Sequence, residues 1–140
     1  MFNYLPNQSQ SSSQSQQDFL DRLKTWNEIC NAFAKVKCKM KELEDALQAD
    51  DEMHMRGVLE KYTEKNKDLI NQHSSWTGVR VVSVDGSVLT KDYVRYWLSW
   101  LITFLYVIDA LEFAESFEAK RQLKGLLERT GYAGPGLLFL

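Results

Sequence analysis

The side chains best suited to metal or nucleophilic chemistry are two histidines and two cysteines. His54 and His73 lie 19 positions apart in one predicted helix, so about 28 Å would separate them. Cys30 and Cys38 lie eight positions apart on another predicted helix, and about 12 Å along its axis is too far for a disulfide. These spacings match no zinc-binding pattern. We therefore expect no metal site, no cofactor, and reduced thiols typical of a cytoplasmic or nuclear protein.

Asp109 is the acid that interrupts the most apolar stretch of the chain. A carboxylate buried among apolar side chains can serve as a general acid, because burial raises its pKa. We expect instead that Asp109 marks the point where a helix leaves the core, or that it pairs with a base such as Lys61 or Arg95. The sequence contains no glycine-rich phosphate loop, nucleophile elbow or kinase signature. It therefore predicts that the protein is not an enzyme.

Basic side chains are concentrated in one part of the chain, and they suggest one alternative function. They are Arg22, Lys24, Lys35, Lys37, Lys39 and Lys41. Such a cluster could bind the phosphates of a nucleic acid, with an affinity that falls steeply with salt. Alternate residues of a helix diverge by about 200°, however, so residues 35–41 would not line one edge. The net charge of −2 also gives no general attraction for nucleic acid. Nucleic-acid binding therefore remains an alternative.

Large apolar side chains on predicted helix surfaces suggest the leading function. We expect partner binding through Trp26, Phe33, Phe113, Phe117 and Leu126. Aromatic anchors of this kind dominate the binding energy of protein interfaces. The sequence thus predicts a non-enzymatic protein–protein interaction or assembly module, an accessory or adaptor protein that forms homo-oligomers or binds a protein partner.

Helical periodicity defines the elements that would position these residues. A first helix is predicted over residues 18–48, with an apolar seam at spacings of three and four typical of a coiled coil. One extra three-residue step, from Phe33 to Val36, resembles a stammer, which overwinds a coiled coil locally. A short polar turn leads to a second helix over residues 51–72, so the two helices should form an antiparallel hairpin.

The most apolar stretch covers residues 93–111 and predicts a helix that is apolar on nearly all sides. Its uncharged part reaches only about 20 Å, whereas a bilayer core needs roughly 30 Å. We therefore expect a buried central helix and no stable transmembrane insertion. A membrane-interface protein using residues 97–108 is a second alternative, because Trp and Tyr are enriched at membrane interfaces. Beyond this stretch the helix is expected either to break near residues 109–116 or to project and pair with another copy.

The remaining segments complete the predicted organisation of the 140 residues. Residues 1–16 form a Gln/Ser-rich tail, predicted to be disordered because it has little apolar surface to bury. Residues 17–133 form the bundle domain, and residues 134–140 form a hydrophobic tail that we expect to fold back onto it. Asp85 and Gly86 predict the turn of a small β-hairpin. The fold class is therefore mainly α, a helical bundle of three to four helices with a long N-terminal helical hairpin and a small β-hairpin insertion.

Overall fold

The computed structural model describes residues 5–83, 89–130 and 137–139, and it confirms a mainly α fold. The elements in chain order are α1 Leu5–Val36, a 3₁₀ turn Lys37–Met40, α2 Lys41–Ala49, α3 Glu52–Lys65, α4 Lys67–Gln72, α5 Ser74–Thr77, β1 Arg80–Ser83, α6 Lys91–Phe113, α7 Phe117–Thr130 and β2 Leu137–Phe139. Helix α6 packs against α1, α2, α3 and α7 and is the centre of the bundle.

The first predicted helix is divided into α1 and α2 by the 3₁₀ turn. The turn follows directly on the three-residue step from Phe33 to Val36, and a 3₁₀ turn is more tightly wound than an α-helix, as a stammer requires. Helix α1 begins at Leu5, earlier than the expected start near Asp18. Disorder of the N-terminal tail in solution remains a prediction, since it concerns a population of conformations. At the other end, Asp50 adopts a left-handed conformation (φ 56°) and turns the chain into α3.

Helix α6 supplies much of the hydrophobic core, as its composition predicts. Eleven of its 23 residues are buried, and the ring of Phe104, which is fully buried, stacks on Trp100 with centroids 5.1 Å apart. The hydroxyl of Thr90 accepts a hydrogen bond from the backbone N–H of Tyr93 at 3.3 Å. Thr90 therefore caps the N-terminus of α6, satisfying one of the amides that the first turn leaves unpaired.

The apolar stretch does not continue as one straight helix. Helix α6 ends at Phe113, within the predicted range for a break, and α7 begins at Phe117. Ala119, Leu123 and Leu127 of α7 are buried, and α7 packs against both α6 and α1. Residues 91–130 therefore form two helices, and the second belongs to the bundle.

The small β-structure includes a pairing that the sequence did not predict. Strand β1 pairs in parallel with β2, and Arg80 lies opposite Leu137. Residues 137–139 therefore lie beside β1, and packing of the whole C-terminal tail on the bundle stays a prediction. The predicted hairpin turn at Asp85 and Gly86 lies outside the described residues, and Leu89, which is described, is not in a strand.

Candidate interaction surface

Helix α1 carries two apolar stripes, and the predicted seam enters the bundle only in its later part. Ile29, Ala32 and Val36 are buried at 0–2% exposure, at spacings of three and four. The predicted seam runs through Phe19 and Trp26 to Phe33 and Val36; the part of it before Phe33 faces solvent, and the part from Val36 onward is buried. Ile29 and Ala32 therefore take the place of the early seam positions in the core, and a coiled coil stays a prediction. Both stripes have helical spacing, so periodicity does not distinguish them.

The exposed apolar side chains of α1, which we call the α1 stripe, are Phe19, Leu20, Leu23 and Trp26. Each is 44–57% exposed. Residues 13–24 of α1 are all exposed, and complete burial begins only at Ile29, although Asp18 and Arg22 lie beside Glu118 of α7. Large apolar side chains on an exposed helix face lack the packing that normally stabilises such a face.

The α1 stripe leads into a groove on the same face of α1. Phe19, Leu23, Trp26 and Cys30 are separated by four, three and four residues, which keeps them on one side of the helix. The groove has a volume of about 470 Å³. Its lining, which is mainly apolar, consists of Cys30, Phe33, Ala34, Lys37, Glu44, Thr103, Tyr106, Val107 and Leu126.

Two aromatic rings form part of the groove wall. The rings of Phe33 and Tyr106 meet edge to face with centroids 5.6 Å apart. The hydroxyl of Tyr106 donates a hydrogen bond to Oε1 of Glu44 at 3.0 Å. Burial, and then this hydrogen bond to Glu44, raise the pKa of Tyr106 to about 12. Tyr106 therefore stays neutral at physiological pH, and the groove suits an apolar or aromatic side chain.

The predicted partner-binding residues divide among three places. Trp26 belongs to the α1 stripe, while Phe33 and Leu126 line the groove. Phe113 and Phe117 lie where α6 meets α7, at 40% and 80% exposure, and Nζ of Lys35 lies 5.2 Å from the centroid of the Phe113 ring. The structure thus joins the first three on one continuous face, and the phenylalanines form a separate exposed corner.

Glu28 connects α1 to the start of α7, a contact that sequence reasoning missed. Its carboxylate accepts hydrogen bonds from the backbone N–H groups of Glu115 and Ser116 and from the Ser116 hydroxyl, the last at 2.7 Å. The Ser116 hydroxyl, and then the two backbone N–H groups, lower the pKa of Glu28 below its ordinary value of 4.5. Glu28 and Ser116 are 88 residues apart, so no local pattern indicates the contact. It anchors α7 beside the groove.

The basic residues of the nucleic-acid alternative lie near acidic side chains in separate places. Arg22 lies in a shallow depression with Asp18 and Glu118. Lys24 and Lys35 lie in another, which also contains carboxylates. A phosphate at either place would meet negative as well as positive charge, which opposes binding.

The other three basic residues lie on the 3₁₀ turn or at the start of α2. Lys37 shares the groove with Glu44, and Nζ of Lys41 lies 3.1 Å from the carboxylate of Asp45. Lys39 is exposed on the 3₁₀ turn. The six side chains are therefore all exposed, but they do not converge on one surface as a phosphate-binding track requires.

Asp109 is half-buried on α6, and its pKa is raised by burial, an effect that the charge of Lys39 partly offsets. The bases first expected beside it pair elsewhere: Lys61 with Glu42 at 3.1 Å, and Arg95 with Asp50 at 2.8 Å. Helix α6 also continues for another turn beyond Asp109.

The remaining chemically capable residues are separated in the structure. The indole N–H of Trp76 donates to Nδ1 of His73 at 3.2 Å, whereas His54 is exposed on α3. Cys30 and Cys38 are free and exposed. Within the part of the chain that the structure describes, no group of three or more His, Cys, Asp or Glu side chains is placed to hold a metal ion.

Helix α6 is long and apolar enough to cross a membrane by length and composition, and 56% of its most apolar window is buried inside the protein. The core helix of a soluble protein meets the same criterion.

Comparison with protein families, with curated proteins and with solved structures finds no match for this chain. The interpretation of the surface therefore depends on its geometry and chemistry.

Proposed function

We propose that this chain is a non-enzymatic protein–protein interaction or assembly module, an accessory or adaptor protein that self-associates or binds a partner protein. The observation that supports the proposal is the α1 stripe, a row of half-exposed apolar side chains on one face of α1. Exposed apolar patches of more than a few hundred Å² are uncommon on monomeric proteins and mark interaction sites.

The composition and shape of this surface suit recognition by a helix. Trp26 and Phe19 are large aromatic anchors, the residue class that contributes most to binding when it is desolvated. The adjacent groove offers a mainly apolar cleft for side chains of an amphipathic helix. Lys37 and Glu44 provide a polar rim of opposite charges, as is typical of the edge of an interface.

Capture from a cell extract tests the proposal. The full-length chain is immobilised, and the bound proteins are compared with those bound by Trp26→Glu and by the control Met53→Glu. Met53 is 82% exposed and lies on α3, so the control adds the same charge to an exposed apolar position outside the stripe. We expect wild type and Met53→Glu to retain the same proteins, and Trp26→Glu to lose them. Equal retention by all three would contradict the proposed binding surface.

A further inference from the structure

We propose that one edge of strand β1 is a docking site for an extended segment of a partner protein, and that the chain's own residues 137–139 cover this edge in the free protein. Strand β1 and β2 form a two-stranded parallel sheet. Addition of a strand to an open sheet edge is a common mode of peptide recognition. Strand β1 packs beside α4, so this site is separate from the α1 stripe and does not depend on it.

The bundle itself fixes the position of β1. Val79, just before the strand, and Val81 are both 3% exposed and belong to the hydrophobic core. The hydroxyl of Thr77 accepts a hydrogen bond from the backbone N–H of Val79 at 3.1 Å. Removal of β2 would therefore leave a strand already in place, and a partner would not have to offset the entropy of ordering it.

Asn71 of α4 determines which edge of β1 can accept another strand. Its Oδ1 accepts a hydrogen bond from the backbone N–H of Val81 at 2.7 Å, and its Nδ2 donates to the C=O of Val81 at 3.4 Å. Successive residues of a strand direct their backbone groups to opposite edges. The N–H and C=O groups of Arg80 and Val82 therefore face β2, while Asn71 occupies the opposite edge. A partner segment can pair with β1 only on the side where β2 lies.

The pairing with β2 is short enough to be displaced. Strand β2 has three residues, and its closest packing within the described residues is with β1. Each hydrogen bond between strands changes an equilibrium constant by only about two- to tenfold, and a two-stranded ribbon is marginally stable. A tethered segment competes with an effective concentration on the order of millimolar. A longer partner segment that binds the open edge with a dissociation constant well below millimolar would therefore replace β2.

The residues of β1 define the side chains that this segment should carry. Directly paired residues lie on the same face of a sheet. The residue opposite Val81, which is buried, should therefore be apolar, and Leu138 holds that position in the tail. Arg80 is exposed and lies opposite Leu137, which offers it no charge. Because opposite charges across a strand pair are favourable, a partner segment with an acidic residue opposite Arg80 and an apolar residue opposite Val81 should pair better than the tail does.

Peptide binding to the full-length chain tests the inference. The probe is a fluorescent synthetic peptide with the sequence of residues 134–140, and fluorescence anisotropy gives its dissociation constant. Leu138→Asp in the protein should weaken the pairing of the chain's own tail, so this variant should bind the peptide at least about tenfold more tightly than wild type. A peptide that carries Leu137→Glu should bind the variant roughly two- to fivefold more tightly than the unchanged peptide. A peptide that carries Leu138→Asp is the control for non-specific binding and should not bind.

Two further substitutions in the Leu138→Asp protein locate the bound peptide. Val82→Pro removes a backbone N–H that faces β2, whereas Val82→Ala shortens the same side chain and keeps this N–H. We expect Val82→Pro to weaken binding at least about fivefold and Val82→Ala to change it less than about twofold. Val82 is 46% exposed, and circular dichroism of both variants checks that the bundle is intact. Trp26→Glu should leave the affinity for the peptide unchanged.

Three results would overturn the inference. The first is equal affinity of wild type and Leu138→Asp for the peptide, or no binding by either up to about 1 mM. The second is equal affinity of Val82→Pro and Val82→Ala, which would place the peptide away from the edge of β1. The third is loss of peptide binding in Trp26→Glu, which would place the peptide on the α1 stripe. The first two leave the interaction function of the α1 stripe intact, because capture from a cell extract tests that function separately.

Discussion

Helices α6 and α1 are both rich in large apolar side chains, yet the protein buries them in one and exposes them in the other. Trp97, Trp100 and Phe104 of α6 are 0–3% exposed, whereas Phe19 and Trp26 of α1 are more than half exposed. Helix α6 is surrounded by other helices, whereas residues 13–24 of α1 are all exposed. Apolar composition therefore indicates that a surface will be buried, but the position of an element decides whether its own chain buries it.

The largest expected change in the free energy of unfolding is at a buried residue of α6. Phe104→Ala should lower the free energy of unfolding by about 3–5 kcal/mol, because the substitution removes a fully buried ring and leaves a cavity. Phe117→Ala is the matched control, since Phe117 is 80% exposed, and we expect a change within about 0.5 kcal/mol. Chemical denaturation of both variants measures the difference. Equal losses would contradict the assignment of α6 as the core.

A smaller change in the free energy of unfolding, an increase, is expected on substitution of Thr63 of α3. Its side chain is fully buried, and its hydroxyl has no hydrogen-bond partner. Thr63→Val keeps the shape and removes the unpaired hydroxyl, so the free energy of unfolding should rise by about 1 kcal/mol. Thr63→Ser keeps the hydroxyl and loses a methyl group, so it should be less stable than wild type. Thermal unfolding of the three proteins checks the order, and a destabilised Thr63→Val would show that the hydroxyl is paired.

The contact between α1 and α7 should produce a pH-dependent effect. The folded-state pKa of Glu28 lies below its ordinary value of 4.5, so its stabilisation is present above pH 4.5 and is lost as the pH falls through the folded pKa. Glu28→Gln should therefore be less stable than wild type near neutral pH, and the two stability curves should converge on acidification. Urea unfolding over a pH series measures both curves. A difference that grew with acidification would have the wrong sign.

The smallest effect on folding is expected in the α1 stripe itself. Trp26→Ser should change the free energy of unfolding of the monomer by no more than about 0.5 kcal/mol, because the side chain is 53% exposed. Denaturation at low protein concentration, where self-association is weakest, isolates this quantity. A loss comparable to that of Phe104→Ala would place Trp26 in the core of the single chain and remove the contrast between the two helices.

The elements that sequence predicts well are those whose signals are local. The apolar run of α6, its Thr90 cap and its break before Phe117 follow from residue types within a few turns of each other. The helical hairpin formed by α2 and α3 likewise follows from the polar turn around Asp50.

The features that sequence reasoning missed depend on distant partners. Two apolar stripes of α1 have the same spacing. Ile29 is buried and Trp26 is exposed because of how α1 packs against α6 and α7. The hydrogen bonds of Glu28 to Ser116 and the parallel pairing of Arg80 with Leu137 also join residues far apart in the chain. For the candidate site, Trp26, Phe33 and Leu126 were selected by residue type, but the groove that connects them becomes visible only in the fold.

The molar mass in solution tests the central claim most directly. Sedimentation equilibrium of the full-length chain from about 1 µM to about 1 mM covers the range in which weak self-association is detected. We predict that the apparent mass rises from 16.3 kDa toward twice that value, 32.6 kDa, for wild type and for Met53→Glu. Trp26→Glu should remain near 16.3 kDa. A wild-type chain that stays at 16.3 kDa at every concentration would contradict self-association through the α1 stripe.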